Sequence, residues 1–290
     1  MAVAIAASGV WAQRRRRVAE LRARQGFARQ LLDFYGALVG VQEKAFEEAG
    51  AAAPSASSVA AYVAEVVFPG VVDVSVAAGP DRLRAEVLNR IESEDPREII
   101  ASWMLGEEQP AVDRFLARAS LGPVLEALGK DAGSACRGSR DARHCPDCGG
   151  PPQVSFFAAP SEHLSTGPRL LVCARCSGAW GHARMTCPGC GEDSSARLNV
   201  FSERGTTSGE RGSVVRGLPG DARQAAAGEQ AVFPHIRIEA CDTCHQYLLS
   251  VDIATDPAAV PLVDELAAIP LDLYARERGY TKIIRNLMGF

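Results

Sequence analysis

Eight of the nine cysteines in this 290-residue chain form four pairs, each with two residues between the thiols. The pairs are Cys145/Cys148, Cys173/Cys176, Cys187/Cys190 and Cys241/Cys244. A C-x-x-C turn directs both sulfurs and several backbone N–H groups at one point, which is half of a tetrahedral site for Zn²⁺ or Fe. Because two such turns complete one four-sulfur site, the sequence predicts two metal sites with these eight cysteines as ligands.

The sequence around the pairs repeats, and the repeat predicts which pairs share an ion. The first and third pairs lie in CPDCGG and CPGCGE, whereas the second and fourth follow the β-like runs RLLVC and RIEAC. The unit CPxCG, hairpin, strand, CxxC therefore occurs twice, and we expect consecutive pairs to form one site each. Gly149 and Gly191 follow the second thiol of their turns, where a positive φ is common and glycine adopts it without strain.

The elements that must position these turns differ between the two halves of the chain. Apolar residues recur at helical spacing from Arg14 to about Ala49, which predicts one long helix. Prolines then mark the first turns of further predicted helices, at Pro80, Pro96, Pro110 and Pro123. The run VVDVSV at 71–76 is predicted as strand or loop. The four arginines at 14–17 are predicted to be a solvated helix end, with contact to an anionic partner as the alternative.

These patterns predict an α+β multidomain protein, in which an N-terminal α-helical domain precedes two tandem zinc-ribbon-like metal modules and a C-terminal helix. The predicted boundaries are 1–128 for the helical domain, 129–143 for a linker, 144–256 for the two modules (144–178, then 187–250) and 257–290 for the C-terminal helix and tail. Cys136 lies in the linker and is predicted to be an incidental free thiol. The Gly- and Ser-rich stretch at 202–234 is predicted to be a long mobile insertion.

Composition excludes several classes of protein. A net charge of −4 argues against a protein built to bind phosphate backbones. The sequence contains no run of about 18 apolar residues, so we expect no membrane span. The N-terminal arginines follow the apolar segment, the wrong order for a secretory signal. We therefore expect a cytoplasmic protein in which cysteines bind metal rather than form disulfides.

Other side chains near the cysteines are predicted to have supporting roles. His144, His182 and His245 are competent ligands, but two four-cysteine sites are already complete without them. Trp180 and Tyr247 are predicted to cover the metal sites. The sequence contains no Ser/His/Asp order, phosphate loop or H-E-x-x-H motif.

Several segments together resemble one known family. They are LARASLGPVLEALG, CPDCGGPPQVS, LLVCARCSGAWGHARMTCPGCG and EACDTCHQYLLSVDIATDPAAVPLVDELAAIPLDLYARERGY. They are similar to the formate dehydrogenase accessory proteins of the FdhE family. The sequence departs from the family pattern at 202–234, where its insertion is longer. The resemblance implies a helical domain followed by two rubredoxin-like modules. It also implies a cytoplasmic protein that is needed for active respiratory formate dehydrogenase, contacts its catalytic subunit before export and carries iron.

The leading hypothesis is thus a non-enzymatic assembly protein with two Fe ions, each held by four cysteines, with Zn²⁺ as the possible alternative metal. A second hypothesis is a rubredoxin-like electron-transfer or thiol-redox protein, although redox C-x-x-C motifs normally open a helix and these follow strands. A third is a zinc-ribbon nucleic-acid-binding protein, which the acidic charge disfavours. The sequence leaves the oligomeric state open.

Overall fold

The computed structural model describes residues 2–158, 167–203 and 231–290. The helices of the N-terminal half are α1 (Ala2–Arg24), α2 (Arg29–Ala52), α3 (Val59–Tyr62), α4 (Phe68–Ala78), α5 (Asp81–Ser93), α6 (Pro96–Leu105), α7 (Ala111–Leu128) and α8 (Lys130–Gly133). A 3₁₀ turn at Gly26–Ala28 separates α1 from α2, and a π-helical turn at Val63–Val67 joins α3 to α4. The N-terminal half is thus helical, as the apolar spacing predicts.

The long helix predicted from Arg14 to about Ala49 is two helices. Gln25 has φ −113° and ψ 84°, which is outside the helical region, and the 3₁₀ turn follows it. Helical spacing of apolar residues reports which side chains are buried. Helices α1 and α2 both bury apolar side chains, such as Leu21 and Leu32. The apolar spacing therefore continues across the turn between them and does not reveal that the helix is interrupted.

The Val-rich run at 71–76, predicted as strand or loop, is part of α4. Val71 and Ser75 lie one helical turn apart and are both fully buried, and the Ser75 hydroxyl donates to Val71 O at 2.6 Å. β-branched residues have only a weak preference against helix, and tertiary packing overrides it.

Helix α7 is buried on most of its circumference and forms the centre of the helical core. Leu116, Leu121 and Val124 on this helix are fully buried. The Gln42 side chain of α2 donates to Ala119 O of α7 at 3.0 Å, so a polar residue on the apolar face of α2 is satisfied by backbone. Pro123, predicted to start a helix, lies inside α7.

The arginine run at 14–17 is not a solvated helix end. Helix α1 begins at Ala2, so the run lies in the second half of that helix. Arg14 and Arg17 are 5% and 2% exposed, and Arg14 makes two bonds to the Glu126 carboxylate, at 2.9 and 3.0 Å. The Arg14 guanidinium also lies 4.3 Å from the centre of the Trp11 ring. Two of the four arginines therefore belong to the core.

Within the described residues the strands form one seven-stranded sheet with the order β3-β2-β1-β6-β5-β4, and β7 also pairs with β6. The strands are β1 (Pro152–Phe157), β2 (Arg169–Cys173), β3 (Ala179–Gly181), β4 (Leu198–Ser202), β5 (Ile236–Cys241), β6 (Gln246–Asp252) and β7 (Thr281–Lys282). Strands β4, β5 and β6 are antiparallel neighbours, whereas β1 and β7 are parallel to β6. The predicted insertion at 202–234 lies largely outside the described residues.

The predicted C-terminal helix is two short helices, α9 (Pro261–Ala267) and α10 (Ile269–Glu277). Next to them lies a buried ionic group. Lys282 Nζ forms ion pairs with Glu265 Oε1 at 2.7 Å and Asp272 Oδ1 at 3.0 Å. The Tyr247 hydroxyl donates to Asp272 Oδ1 at 2.8 Å, and Gln153 Nε2 donates to Glu265 Oε2 at 2.5 Å. Each buried charge thus has partners, which burial requires.

The chain divides into two compact units. The helical unit contains Met1–Pro151, Cys173–Ala179 and Asn286–Gly289, and the sheet unit contains Pro152–Val172, Trp180–Arg285 and Phe290. The first four cysteines of the predicted sites therefore lie in the helical unit and the last four in the sheet unit. The predicted domain boundaries stay a prediction.

One helical stretch, Val59–Ala78, is long and apolar enough to cross a membrane by length and composition alone. A core helix of a folded domain meets the same two criteria. A single stretch of this kind is weak evidence, and the expected absence of a membrane span stays a prediction.

Candidate metal centres

The first centre consists of the thiols of Cys145, Cys148, Cys173 and Cys176. In its first turn the Gly149 N–H donates to Cys145 O at 2.9 Å. In its second turn, which follows β2, the Ser177 N–H donates to Cys173 O at 3.2 Å. Each turn is closed by the residue after its second thiol, and this closure directs both sulfurs to one side.

The second centre consists of the thiols of Cys187, Cys190, Cys241 and Cys244. The residues that close the four turns of the two centres all have positive φ: Gly149 (+68°), Ser177 (+58°), Gly191 (+86°) and His245 (+54°). Ser177 and His245 adopt this conformation although a side chain makes it unfavourable. All four turns therefore share one backbone geometry, in agreement with the repeat in the sequence.

The distances between sulfurs match a four-sulfur metal site. The Sγ–Sγ distances are 3.6 Å for Cys145–Cys176, 3.4 Å for Cys148–Cys173, 3.5 Å for Cys148–Cys176, and 3.7 Å for both Cys187–Cys244 and Cys190–Cys241. Sulfurs about 2.3 Å from a tetrahedral ion lie about 3.8 Å apart, whereas disulfide sulfurs lie about 2.05 Å apart. The donor sets fit tetrahedral ions in the consecutive pairing expected from the repeat. Metal ligation by these eight residues stays a prediction.

Backbone N–H groups donate hydrogen bonds to two of the sulfurs, which favours negative charge on those two. The Arg175 N–H donates to Cys173 Sγ at 3.3 Å, and the Gly189 N–H donates to Cys187 Sγ at 3.4 Å. Thiols that hydrogen-bond to the Cys145 sulfur, Cys148 first, lower the pKa of Cys145. The hydrogen bond with Cys145 is the largest cause of the raised pKa of Cys176. Crowded sulfurs share protons in this way, and an ion would displace those protons on binding.

Arg175 is an important residue that sequence reasoning missed. It lies between Cys173 and Cys176, is 5% exposed, and donates from Nη1 to Arg137 O at 2.6 Å and Cys148 O at 3.4 Å. Its guanidinium lies 5.4 Å from the centre of the Trp103 ring. The Arg118 guanidinium lies 5.6 Å from the same ring. Arg175 thus connects the first centre to α6 within the helical unit, and only its place inside a C-x-x-C pair hinted at this role.

Cys136 is a free thiol, as predicted, and it is buried. It is 3% exposed, and burial followed by the nearby Cys148 raises the pKa of its thiol to about 11. A thiol that stays protonated at neutral pH is a poor nucleophile and a poor ligand. Cys136 is therefore a core residue of the helical unit.

The histidines have partners other than the sulfurs. His144 Nδ1 lies 2.8 Å from Asp141 Oδ1, and His182 Nε2 lies 3.3 Å from Thr186 O. The His245 ring lies 6.3 Å from the Tyr280 ring. Tyr247 belongs to the core of the sheet unit, where its hydroxyl donates to Asp272, and its role as a cover for a metal site stays a prediction.

A third cluster of possible ligands, His235, Asp256 and Asp264, lies in the sheet unit. His235 Nε2 is 2.8 Å from Asp264 Oδ1, which is a hydrogen-bond distance. The other oxygen of Asp264 accepts the Val260 N–H at 2.7 Å, at the start of α9. Both oxygens of Asp264 thus have hydrogen-bond partners, and the geometry does not require an ion.

Gly149→Ala is expected to destabilise the helical unit by about 2 kcal/mol or more, because a residue with a side chain is strained at φ +68° and the new Cβ would lie 2.9 Å from Gly138 backbone atoms. Chemical unfolding followed by circular dichroism measures the change. Gly40→Ala in α2 is the control, since a Cβ at Gly40 meets nothing within 4 Å. We expect it to be neutral or stabilising by up to about 1 kcal/mol. Equal stabilities of the two variants would contradict the close approach.

The comparisons with known proteins find similarity to one family. The family model described as FdhE, C-terminal domain, matches residues 222–288. A protein FdhE homolog from Aquifex aeolicus is 27% identical over 209 residues, which are 71% of this chain and 62% of that relative. Another from Pseudomonas aeruginosa is 31% identical over 144 residues, which are 50% of this chain and 38% of that relative. The chain thus matches less than two thirds of the length of these curated relatives.

A solved structure is similar over nearly the whole chain. The crystal structure of the FdhE protein from Pseudomonas aeruginosa has a TM-score of 0.62 and 21% identity, and the match covers 97% of this chain and 95% of that one. At this identity the likeness shows the fold alone. It confirms the predicted fold class, and the family match and the relatives confirm the resemblance to FdhE.

Proposed function

We propose, from this resemblance to FdhE, that the chain is a non-enzymatic accessory protein for the biogenesis of active respiratory formate dehydrogenase. It binds the catalytic subunit in the cytoplasm before export. The observation that carries the proposal is the pair of four-sulfur clusters, with sulfurs 3.4 to 3.7 Å apart, in a chain with the FdhE fold. Neither the electron-transfer nor the nucleic-acid alternative has an observation of its own in its favour.

In this proposal the ions organise the structure and do not catalyse a reaction. Four thiolates complete the tetrahedral coordination of an ion, so no coordination position stays open for a substrate. A bound ion links segments that are distant in sequence, and its binding energy contributes directly to folding. The chain's own residues then present a surface of defined shape to the client.

The client test uses cells that lack the chain and are complemented with variants. Cys148→Ser and Cys244→Ser are each expected to lower formate oxidation by about tenfold or more. Replacing a residue that only supports a metal ligand already lowers activity by about tenfold, and loss of a ligand should cost at least as much. An immunoblot is expected to find the catalytic subunit at normal levels. Cys136→Ser, which removes a buried thiol outside both clusters, is the matched control and is expected to keep full activity. Full formate oxidation by both ligand variants would refute a role of the centres in assembly.

The proposal also includes the identity of the metal in the two centres. Both Fe and Zn²⁺ accept four thiolates, and the affinity series favours Zn²⁺. We expect iron in both centres of protein made in iron-replete, low-oxygen cells, because a redox-active ion would allow assembly to respond to oxygen. Elemental analysis should find about two Fe per chain, and absorption from thiolate-to-Fe³⁺ charge transfer should bleach on reduction. A content of about two Zn and negligible Fe per chain would contradict the prediction of iron and would leave the assignment of the eight ligands intact.

A further inference from the structure

The two centres differ in how well their sulfurs are shielded from solvent. In the first centre all four cysteines are buried, with exposures of 1% for Cys145, 0% for Cys148, 1% for Cys173 and 5% for Cys176. In the second centre Cys187 and Cys241 are buried, but Cys190 is exposed and Cys244 is half-buried. One side of the second centre is therefore open to solvent.

The cover over the first centre is backbone that leaves no space. A Cβ added to Gly150 would lie 2.6 Å from Cys173 Sγ, and one added to Gly178 would lie 3.2 Å from Cys176 Sγ. Main chain thus touches the sulfurs directly, and an entering molecule would have to displace it. In the second centre a Cβ added to Gly189 would meet Gln246 Oε1, the end of a flexible side chain, and lie 3.6 Å from Cys187 Sγ.

The charges around the centres differ in the same direction. Four thiolates and one divalent cation carry a net charge of −2, which burial disfavours unless a cation lies close. At the first centre the buried Arg175 supplies this positive charge. The matching position at the second centre is Thr243, which is exposed and donates to Glu192 Oε2 at 2.6 Å. The position that carries a buried positive charge in the first centre is therefore neutral and exposed in the second.

We propose that the second centre exchanges its ion with small thiols and chelators, whereas the first centre keeps its ion until the helical unit unfolds. The entering donor reaches the ion from the open side and forms a bond to it. The bond to the Cys190 or Cys244 sulfur breaks, and that thiolate takes a proton from water. The ion keeps its oxidation state. This inference rests on the metal part of the proposed function and does not depend on formate dehydrogenase.

The test follows release of Zn²⁺ from the full-length protein loaded with two ions, using excess 4-(2-pyridylazo)resorcinol. We expect two phases of equal amplitude, one from each centre. Release from the second centre should be faster by about tenfold or more, which corresponds to a difference of at least about 1.4 kcal/mol in activation free energy. Cys190→Ser should remove the fast phase, and Cys148→Ser should remove the slow one. One phase that releases both ions would overturn the inference, as would loss of the fast phase in Cys148→Ser.

Labelling of the wild-type protein identifies the released site without any variant. After release of one equivalent, N-ethylmaleimide is added and the labelled peptides are identified by mass spectrometry. Label on Cys187, Cys190, Cys241 and Cys244 supports the inference, and label on the four cysteines of the first centre overturns it. A protein that takes up no metal on loading would instead refute the metal part of the proposed function.

Discussion

Cys148→Ser is expected to halve the metal bound to the chain and to destabilise the helical unit severely. Cys148 is fully buried, and its sulfur lies 3.4 and 3.5 Å from those of Cys173 and Cys176. A serine oxygen is a poorer ligand for a soft site and sits closer to the backbone. Structural ions in small domains contribute on the order of 10 kcal/mol to folding, so loss of one thiolate forfeits a large part of the stability. Elemental analysis and guanidinium unfolding measure the two effects.

The matched control for this variant is Cys136→Ser. Both thiols are buried in the helical unit, but Cys136 is not one of the four clustered sulfurs. We expect the control to bind a full complement of metal and to lose about 1 to 2 kcal/mol, the cost of a buried hydroxyl in place of a thiol. If the two variants lost equal amounts of metal, the four-sulfur assignment would be wrong.

Lys282→Met is expected to destabilise the sheet unit by about 3 to 5 kcal/mol, because it leaves two buried carboxylates without their shared cation. The side chains of Lys282, Glu265 and Asp272 are each at most 1% exposed. Methionine fills most of the space of the lysine stem, so the change reports mainly the loss of charge. Chemical unfolding of the two proteins at pH 8 measures the difference.

The loss in Lys282→Met should also depend on pH. Burial raises the pKa of Glu265 above its ordinary value, while Lys282 opposes that rise. A carboxyl with a raised pKa in the folded state contributes stability below its unfolded pKa, and this contribution disappears as pH rises through the folded pKa. Without Lys282 the pKa of Glu265 should rise further. The deficit should therefore shrink between pH 8 and pH 5.

Lys44→Met is the control for this experiment. Lys44 pairs with Glu48 at 3.6 Å on an exposed face of α2, and such pairs contribute about 0.5 kcal/mol or less. If Lys282→Met cost no more than Lys44→Met at pH 8, the buried ionic group would not be a source of stability.

The pairing of the cysteines could be predicted because it depends on local chemistry. A C-x-x-C turn needs only a few neighbouring residues, and its repetition shows which turns correspond. The same holds for Gly149, whose positive φ is a property of the turn itself. Sequence pattern is informative wherever adjacent residues determine the conformation.

Arg175 and Arg14 could not be predicted, because their surroundings come from distant parts of the chain. Arg175 lies against Trp103 of α6, and Arg14 binds Glu126 of α7. A charged residue in isolation favours solvent, and only the folded unit supplies the carboxylate or ring that permits burial. The helix at Val71–Val76 escaped prediction for the same reason, since packing selected it against local preference.

The parallel pairing of β1 with β6 has a consequence for synthesis on the ribosome. Val154 pairs with Leu249, so the sheet cannot close until Leu249 has been translated. The ligands of the first centre are complete once Cys176 leaves the exit tunnel, whereas the second centre must wait for Cys244. Pairings between distant strands also form slowly, because the chain loses loop-closure entropy before the strand contacts stabilise it. The four thiols of the shielded centre are therefore available to an ion earlier in synthesis than those of the exposed one.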